Sequence, residues 1–388
     1  MLDLERIYRE TLRRCAPDVL VRRAVRPGLP RHVVAIGKCA AAMVDGFGEI
    51  ESGFAVVPRG YPLPGMSKVE VMEGGHPEID AGSVRAGREL LRWVDSHPEI
   101  TFLISGGGSA CADVPLEPFF SEDDLQLVNR RLVAAGIPIR AINIVRKHLS
   151  AIKGGRLAAR VRERSVSLIY SDVASGDLAS VASGPTLPDR STRAEAAAIL
   201  RDVGGCDRIV AVLGNDDVPE TVREIGNAEA MLIADNGTLV ETAAALIAEA
   251  GRQPVRWPGQ IETDVATAAH ELAVRLRTMQ PNEVIVAGGE PTVVVQGGGR
   301  GGRCSELAVR FAMEAGIEAC ALFGSSDGVD GTSGAAGFEV EVPAAIEERD
   351  REALERSDSA PAASRIGRPI IMPPTGNNLR DLYLVARG

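Results

Sequence analysis

Lysine is nearly missing from this chain. Only Lys38, Lys68, Lys147 and Lys153 occur among 43 basic residues, the remainder being arginine. Where arginine has replaced lysine so widely, a retained lysine points to a need for a compact ammonium rather than a planar fork. Long apolar runs are also missing: none reaches 18 residues, which excludes a transmembrane helix on length. Charge in Met1-Leu2-Asp3-Leu4-Glu5-Arg6 stands where a signal peptide needs apolar residues, so a cytoplasmic location is expected. The six cysteines form no CxxC pair, which favours reduced structural thiols over a metal site. Basic surface is in short supply, with 43 basic against 53 acidic residues and a net charge of −10. That disfavours nucleic acid or an anionic membrane as the main partner, although one local basic site can still hold a small anion.

The composition of the 388 residues is 45% hydrophobic and 25% charged, close to a soluble globular average, and the length predicts two or three domains. Short β-branched runs at 33–36, 54–57, 69–72, 101–104, 141–145 and 167–170 read as strands buried on both faces. Helical patterns at 81–94, 121–135 and 154–164 fall between them, and the alternation predicts βαβ units. A second series reads as strands at 209–213, 231–234, 284–287, 292–296 and 319–323, with helices at 239–250 and 263–279. The tail 343–365 reads as a surface helix plus loop. These elements predict domains 1–207 and 208–388. There is no low-complexity segment and no repeat of fixed period.

Glycine-rich turns follow five of the expected strands: Gly37-Lys38, Ser105-Gly106-Gly107-Gly108-Ser109, Gly288-Gly289-Glu290, the 297–303 run ending in Arg303, and the 324–328 turn containing Asp327. Ligands of open α/β sheets bind outside the carboxyl ends of strands, where glycine lets backbone N–H groups approach an anion. One such turn alone is more simply a packing turn; five favour an anion site. The Gly37 turn does not match GxGxxG and has no acidic partner at the expected distance, and GxxxxGK[ST] does not occur, so a phosphate-handling α/β protein of neither common nucleotide-binding type is expected.

Two further segments stand out. From Arg146 to Arg156 run Lys147, His148, Lys153, Gly154 and Gly155, read either as a solvated basic face or as cations beside open amides, with the helix expected to break at Lys153. His148 reads as structural. Asp172 and Asp177 follow the 167–170 strand, where an aspartate can hold Mg²⁺, accept a hydroxyl proton or simply cap a turn. Amides and lysines for oxygens, carboxylates for Mg²⁺ and a base near the acceptor hydroxyl are the parts that phosphoryl transfer needs.

The segments 35–38, 75–77, 105–110, 146–157, 171–177, 182–186, 288–292, 301–307, 325–331 and 374–382 together resemble the class II glycerate kinases, the glycerate 2-kinase or MOFRL family. The resemblance implies ATP-dependent phosphorylation of D-glycerate at its 2-hydroxyl, with Mg²⁺. It implies two α/β domains: a Rossmann-like parallel sheet flanked by helices, then a smaller mixed-sheet domain, MOFRL-like from residue 283, with the active site in the cleft between them. Lys38 and Arg303 match residues placed in the active site there, and Asp172 joins them as a catalytic candidate. Gly37, Ser105, Gly106, Gly107, Gly108, Ser109, Lys147, Lys153, Gly154, Glu290 and Asp327 are the expected binding residues, and Asp172 with Asp177 the metal candidates. Arg303 can hold a carboxylate or a phosphate, or pair with an acid such as Glu306. Cys304 and Ser305 stand where the family carries Asn and Gln. The partners expected are glycerate and a nucleotide, with a homodimer left open. The competing readings are a hydroxypyruvate reductase, which needs a nicotinamide cofactor, and a non-catalytic anion-binding protein.

Overall fold

The β-branched runs of the first half become strands of one sheet. A computed structural model describes residues 2–173 and 177–388. The strands are β1 (His32–Ile36), β2 (Ser52–Pro58), β3 (Val69–Gly74), β4 (Glu99–Ser105), β5 (Arg164–Tyr170) and β6 (Ala228–Ala234). They lie in the order β3-β2-β1-β4-β5-β6. Every pairing from β3 across to β5 is parallel. Beyond their first residues β1, β2, β4 and β5 are buried throughout, which explains why they show no polar alternation. Helix Ala81–Ser96 starts where the Asp80 carboxylate accepts the Ser83 N–H at 2.8 Å, and it buries Val84, Leu90 and Val94.

The strand order positions the site. After β1 the chain builds β2 and β3 on one side, then crosses over to lay β4 on the other. The carboxyl ends of β1 and β4 therefore flank the switch point of the sheet, where ligands of doubly wound folds bind. Ile36 is in register with Ile104, so Gly37 and Ser105 emerge level with each other.

A second sheet contains β7 (Gln253–Arg256), β8 (Glu283–Gly289), β9 (Ala319–Ser325), β10 (Gly337–Val342), β11 (Gly367–Ile370) and β12 (Asp381–Arg387). Its order is β11-β10-β9-β12-β8-β7. Only β7 and β8 pair in parallel, so the sheet is mixed. Helices Val265–Arg277 and Arg303–Glu314 share one apolar core with it.

Several sequence expectations are corrected. Residues 141–145 form no strand; they lie in helix Ile139–Leu149, whose buried Ile142, Val145 and Leu149 recur at helical spacing. Likewise 209–213 belongs to helix Asp207–Leu213, with Ile209 and Leu213 one turn apart on its buried side. Residues 292–296 are not a strand, because β12 takes the place beside β8; Val294 and Val295 are left 79% and 75% exposed. The helix expected over 154–164 shrinks to Arg156–Ala159. The tail holds two helices, Glu348–Glu355 and Ser359–Ile366, and the second buries Ala360, Ala362 and Ala363 in the core.

The chain divides into a Leu20–Ile233 unit and a unit formed by Met1–Val19 with Ala234–Gly388. The sequence places this boundary near residue 207. It falls later because helices Arg193–Val203 and Asp207–Leu213 pack with Ile139–Leu149, and because β6 joins the first sheet. Helix Leu4–Arg14 goes with the second unit: Tyr8 donates to the Ser325 carbonyl, and Asn377 Nδ2 to the Leu12 carbonyl at 3.1 Å. All six cysteines are free and buried, as their scatter predicts. Among the described residues no helix is long and apolar enough to cross a membrane.

Candidate active site

At the switch point two turns interlock. Gly37 has φ +115°, and a Cβ there would lie 2.5 Å from the Ser105 carbonyl oxygen, so only glycine allows the approach. The Lys38 N–H donates to the Gly106 carbonyl at 2.9 Å, and the Cys39 N–H to the Ser105 hydroxyl at 3.1 Å. Ser105 is fully buried, so it stitches β1 to β4 rather than facing a ligand. Gly107 follows at φ +82° and opens the short helix Gly108–Cys111, whose first amides lack acceptors within the helix.

The side chain of Lys38 runs over Gly107. A Cβ on Gly107 would sit 2.9 Å from Lys38 Cγ and 3.4 Å from the His76 ring, so lysine and histidine share this surface. Burial, and then the Lys38 charge, push the His76 imidazole below its usual pKa. Among the described residues no carboxylate pairs with the Lys38 ammonium. The other lysines are all engaged: Lys68 with the Ile50 carbonyl at 3.0 Å, Lys147 with Asp189 at 2.9 Å, and Lys153 with Asp113. Gly107→Val is expected to displace the Lys38 side chain and to add about 1–3 kcal/mol of backbone strain. Its kcat should fall while the protein stays folded at assay temperature; an unchanged kcat in the folded variant would separate Gly107 from the site.

The basic stretch turns inward. Helix Ile139–Leu149 ends at Leu149, not at Lys153. Lys153 is 1% exposed, and burial pulls its ammonium below the usual lysine pKa although Asp113 opposes this. Lys147 is 5% exposed. The amides of Gly154 and Gly155 are not open either: they donate to the carbonyls of Ser183 and Gly184 at 3.2 and 2.8 Å. They hold a turn in which Ala182 and Ser183 both have positive φ, 50° and 59°. Consecutive non-glycine residues in that region carry strain that their surroundings must impose. The result brings the Ser183 hydroxyl 2.7 Å from that of Ser109, with Asn143 accepting from Ser183 at 3.0 Å. His148 is structural, as expected: its ring nitrogens contact the Ile144 carbonyl and Glu220.

Asp172 follows the end of β5, where Tyr170 is in register with Ser105. Residues 174–176 lie outside the described residues; Asp177, beyond them, is exposed and accepts from the Ser180 hydroxyl. Among the described residues, no group of three or more His, Cys, Asp or Glu side chains is arranged to hold a metal ion.

In the second unit Glu290 follows β8, and Arg303 opens helix Arg303–Glu314. Arg303 grips Asp381 with Nε at 3.0 Å and Nη2 at 3.2 Å, and Glu290 with Nη1 at 2.8 Å. Its partners are therefore not Glu306, which is buried and bonded to Arg310. Asp381 is in register with both Gly289 and Ser325, which gathers the ends of β8, β9 and β12. Asp327 caps its own turn, accepting from the Ser325 hydroxyl and the Val329 N–H, both at 2.9 Å. The helix N-terminus after the glycine run is already occupied: Asp330 accepts the Cys304 and Ser305 amides at 2.8 and 3.0 Å. Cys304 and Ser305 are fully buried, so these two departures from the family pattern face the interior. A pocket of 540 Å³ is lined by Arg303 and Glu290 together with Pro291, Val293, Val295 and Thr332. Asp330 and Asp381 fall in the 325–331 and 374–382 segments, but the sequence does not show their partners, which come from strands and helices distant in the chain.

Residues 3–213 match a domain of unknown function (DUF4147), and residues 283–381 match the MOFRL family. A D-glycerate 2-kinase from Thermotoga maritima is 32% identical, covering 98% of each chain. A relative from Agrobacterium vitis with a provisional hydroxypyruvate reductase name is 34% identical over 99% of this chain and 94% of its own. The crystal structure of glycerate kinase from Thermotoga maritima superposes with a TM-score of 0.90 at 29% identity, covering 99% of this chain and 98% of that one. With matches that span both units and nearly every residue, the chain belongs to the MOFRL-containing glycerate 2-kinase family.

Proposed function

We propose that this protein transfers the γ-phosphoryl group of ATP to the 2-hydroxyl of D-glycerate. The observation that carries the reading is the Lys38 ammonium, without a carboxylate partner among the described residues, at the switch point of a doubly wound sheet. A fixed cation there stabilises charge that develops on a transferring phosphoryl group. Ser109, the amides after Gly107 and the strained Ser183 turn supply polar groups around it. Lys147 and Lys153 act at a distance in this reading, by holding the 150–155 and 182–184 turns.

Mg²⁺ neutralises phosphate charge when bound with the nucleotide, and it keeps several waters and phosphate oxygens in its shell. One or two protein carboxylates therefore suffice, and Asp172 at the end of β5 fits that donor set; Asp177 is the second candidate. Asp172 is also the candidate base for the hydroxyl proton of glycerate.

Purified protein supplied with D-glycerate, ATP and Mg²⁺ should release ADP, and phosphorus NMR of the product should show 2-phosphoglycerate. A 3-phosphoglycerate signal would correct the position. Loss of NADH or NADPH absorbance with hydroxypyruvate, without ADP release, would replace the kinase with the reductase reading.

Arg303 is assigned to the substrate carboxylate. Arg303→Lys keeps the charge but cannot hold Asp381 with two nitrogens and still reach a ligand. The expected result is a rise of roughly tenfold in KM for glycerate, the scale of one charge-assisted hydrogen bond, with KM for ATP little changed. A fall in kcat at constant KM would move Arg303 to the phosphoryl group instead.

A further inference from the structure

The guanidinium of Arg303 has one buried side and one open side. On the buried side Asp381, which is 0% exposed, takes Nε and Nη2 together. The same carboxylate accepts the Tyr383 hydroxyl at 2.9 Å, and Tyr383 is itself fully buried. Asn236 Nδ2 fixes the Asp381 backbone, donating to its carbonyl at 3.0 Å and to that of Leu379 at 2.8 Å. On the open side Nη1 meets Glu290, which is 40% exposed, and Arg303 lines the 540 Å³ pocket while Asp381 does not.

We propose that Asp381, braced by Tyr383, is a positioning residue that aims the guanidinium of Arg303 into this pocket. The inference rests on the assignment of Arg303 to substrate. A planar fork held at two nitrogens cannot rotate about its Cδ–Nε bond, so its remaining Nη protons keep a fixed direction. A fully buried carboxylate cannot touch a ligand, so Asp381 acts only through the arginine. β12 provides the rigidity, because its first residue is paired on both sides, with Gly289 and with Ser325. Tyr383 rises two residues later from the same face of the strand, the period that lets its hydroxyl reach back to Asp381.

The test is a double-mutant cycle in the full-length protein. Asp381→Asn keeps the shape and removes the charge; it is expected to lower kcat/KM for glycerate by about 10–100-fold, the scale seen when a group that orients a site residue is lost. Combined with Arg303→Ala it should add nothing beyond about twofold to the loss from Arg303→Ala alone. Losses that multiply would overturn the proposal, since a merely structural role does not vanish when Arg303 is gone. If Asp381→Asn does not fold, Tyr383→Phe replaces it in the same cycle, with an expected loss of roughly 2–10-fold. Titration of ATP and of D-glycerate onto the same variants gives a second readout that needs no turnover, with the glycerate Kd following the same non-additive pattern. A wild-type protein without ADP release counts against the kinase; an active Arg303→Ala variant counts against Arg303. An impaired Arg303→Ala beside an unimpaired Asp381→Asn counts against the positioning role alone.

Discussion

Lys38→Ala is expected to lower kcat by roughly 10²–10³, the loss seen when one preorganised electrostatic donor is removed from an active site. The argument starts from position. The residue leaves β1 at the switch point, its backbone is tied to Gly106, and its methylenes lie against the bare Cα of Gly107. An ammonium held this way needs little reorganisation as charge builds on a phosphoryl group. Because the group acts on charge that develops during transfer, KM for ATP and for glycerate should change far less than kcat. Lys38→Arg should also be impaired, since the planar fork does not reproduce a point charge in a space shared with His76. Steady-state kinetics and a thermal melt check both variants. Near-normal turnover in a folded Lys38→Ala protein would remove this residue from catalysis.

Much of the first sheet is legible in the sequence. Strands buried on both faces write themselves as unbroken β-branched runs, and β1, β2, β4 and β5 do so. The same rule misreads 141–145 and 209–213, where helices are β-branched and partly buried. There periodicity alone decides, and five residues are too few to show it. β12 escapes because its place in the sheet is set by partners distant in the sequence, β8 and β9, while the exposed 292–296 run imitates a strand better than it forms one.

The candidate residues of the two units divide along the same line. Lys38, Gly37 and Gly107 can be read locally, because a strand end followed by glycine is a local signal. The retention of lysine marks four positions but does not say what each ammonium meets: a carbonyl for Lys68, buried carboxylates for Lys147 and Lys153, and no carboxylate among the described residues for Lys38. The roles of Asp381 and Tyr383 are legible only once β8, β9 and β12 lie side by side, and that of Asp330 only once its turn meets the start of helix Arg303–Glu314.

Lys153→Met is expected to cost about 3–5 kcal/mol of stability, the loss that follows when one partner of a buried ion pair is removed and the other charge stays behind. Lys153 and Asp113 are each 1% exposed, and among the described residues Asp113, through Oδ2, is the carboxylate that Lys153 Nζ meets. The other oxygen, Asp113 Oδ1, accepts from the Ser150 hydroxyl at 2.5 Å and from the Val114 N–H at 2.9 Å. Ser150 in turn accepts the Ile152 and Lys153 amides, so the pair holds the turn that leads to Gly154 and the Ser183 loop. A lone Asp113 carboxylate in this interior would be a buried charge without its partner, which would loosen that turn. The companion variant Lys153→Met with Asp113→Asn removes both charges yet keeps an acceptor for Ser150 and Val114. It should regain most of the lost stability, because a neutral pair no longer carries the desolvation of two ions. Thermal melts and urea unfolding of the two variants measure this. Kinetics of the restored double variant then separate support from contact: near-wild-type KM for ATP and glycerate is expected if Lys153 only holds the turn. A KM raised tenfold or more in a stable double variant would mean that the ammonium itself reaches a ligand.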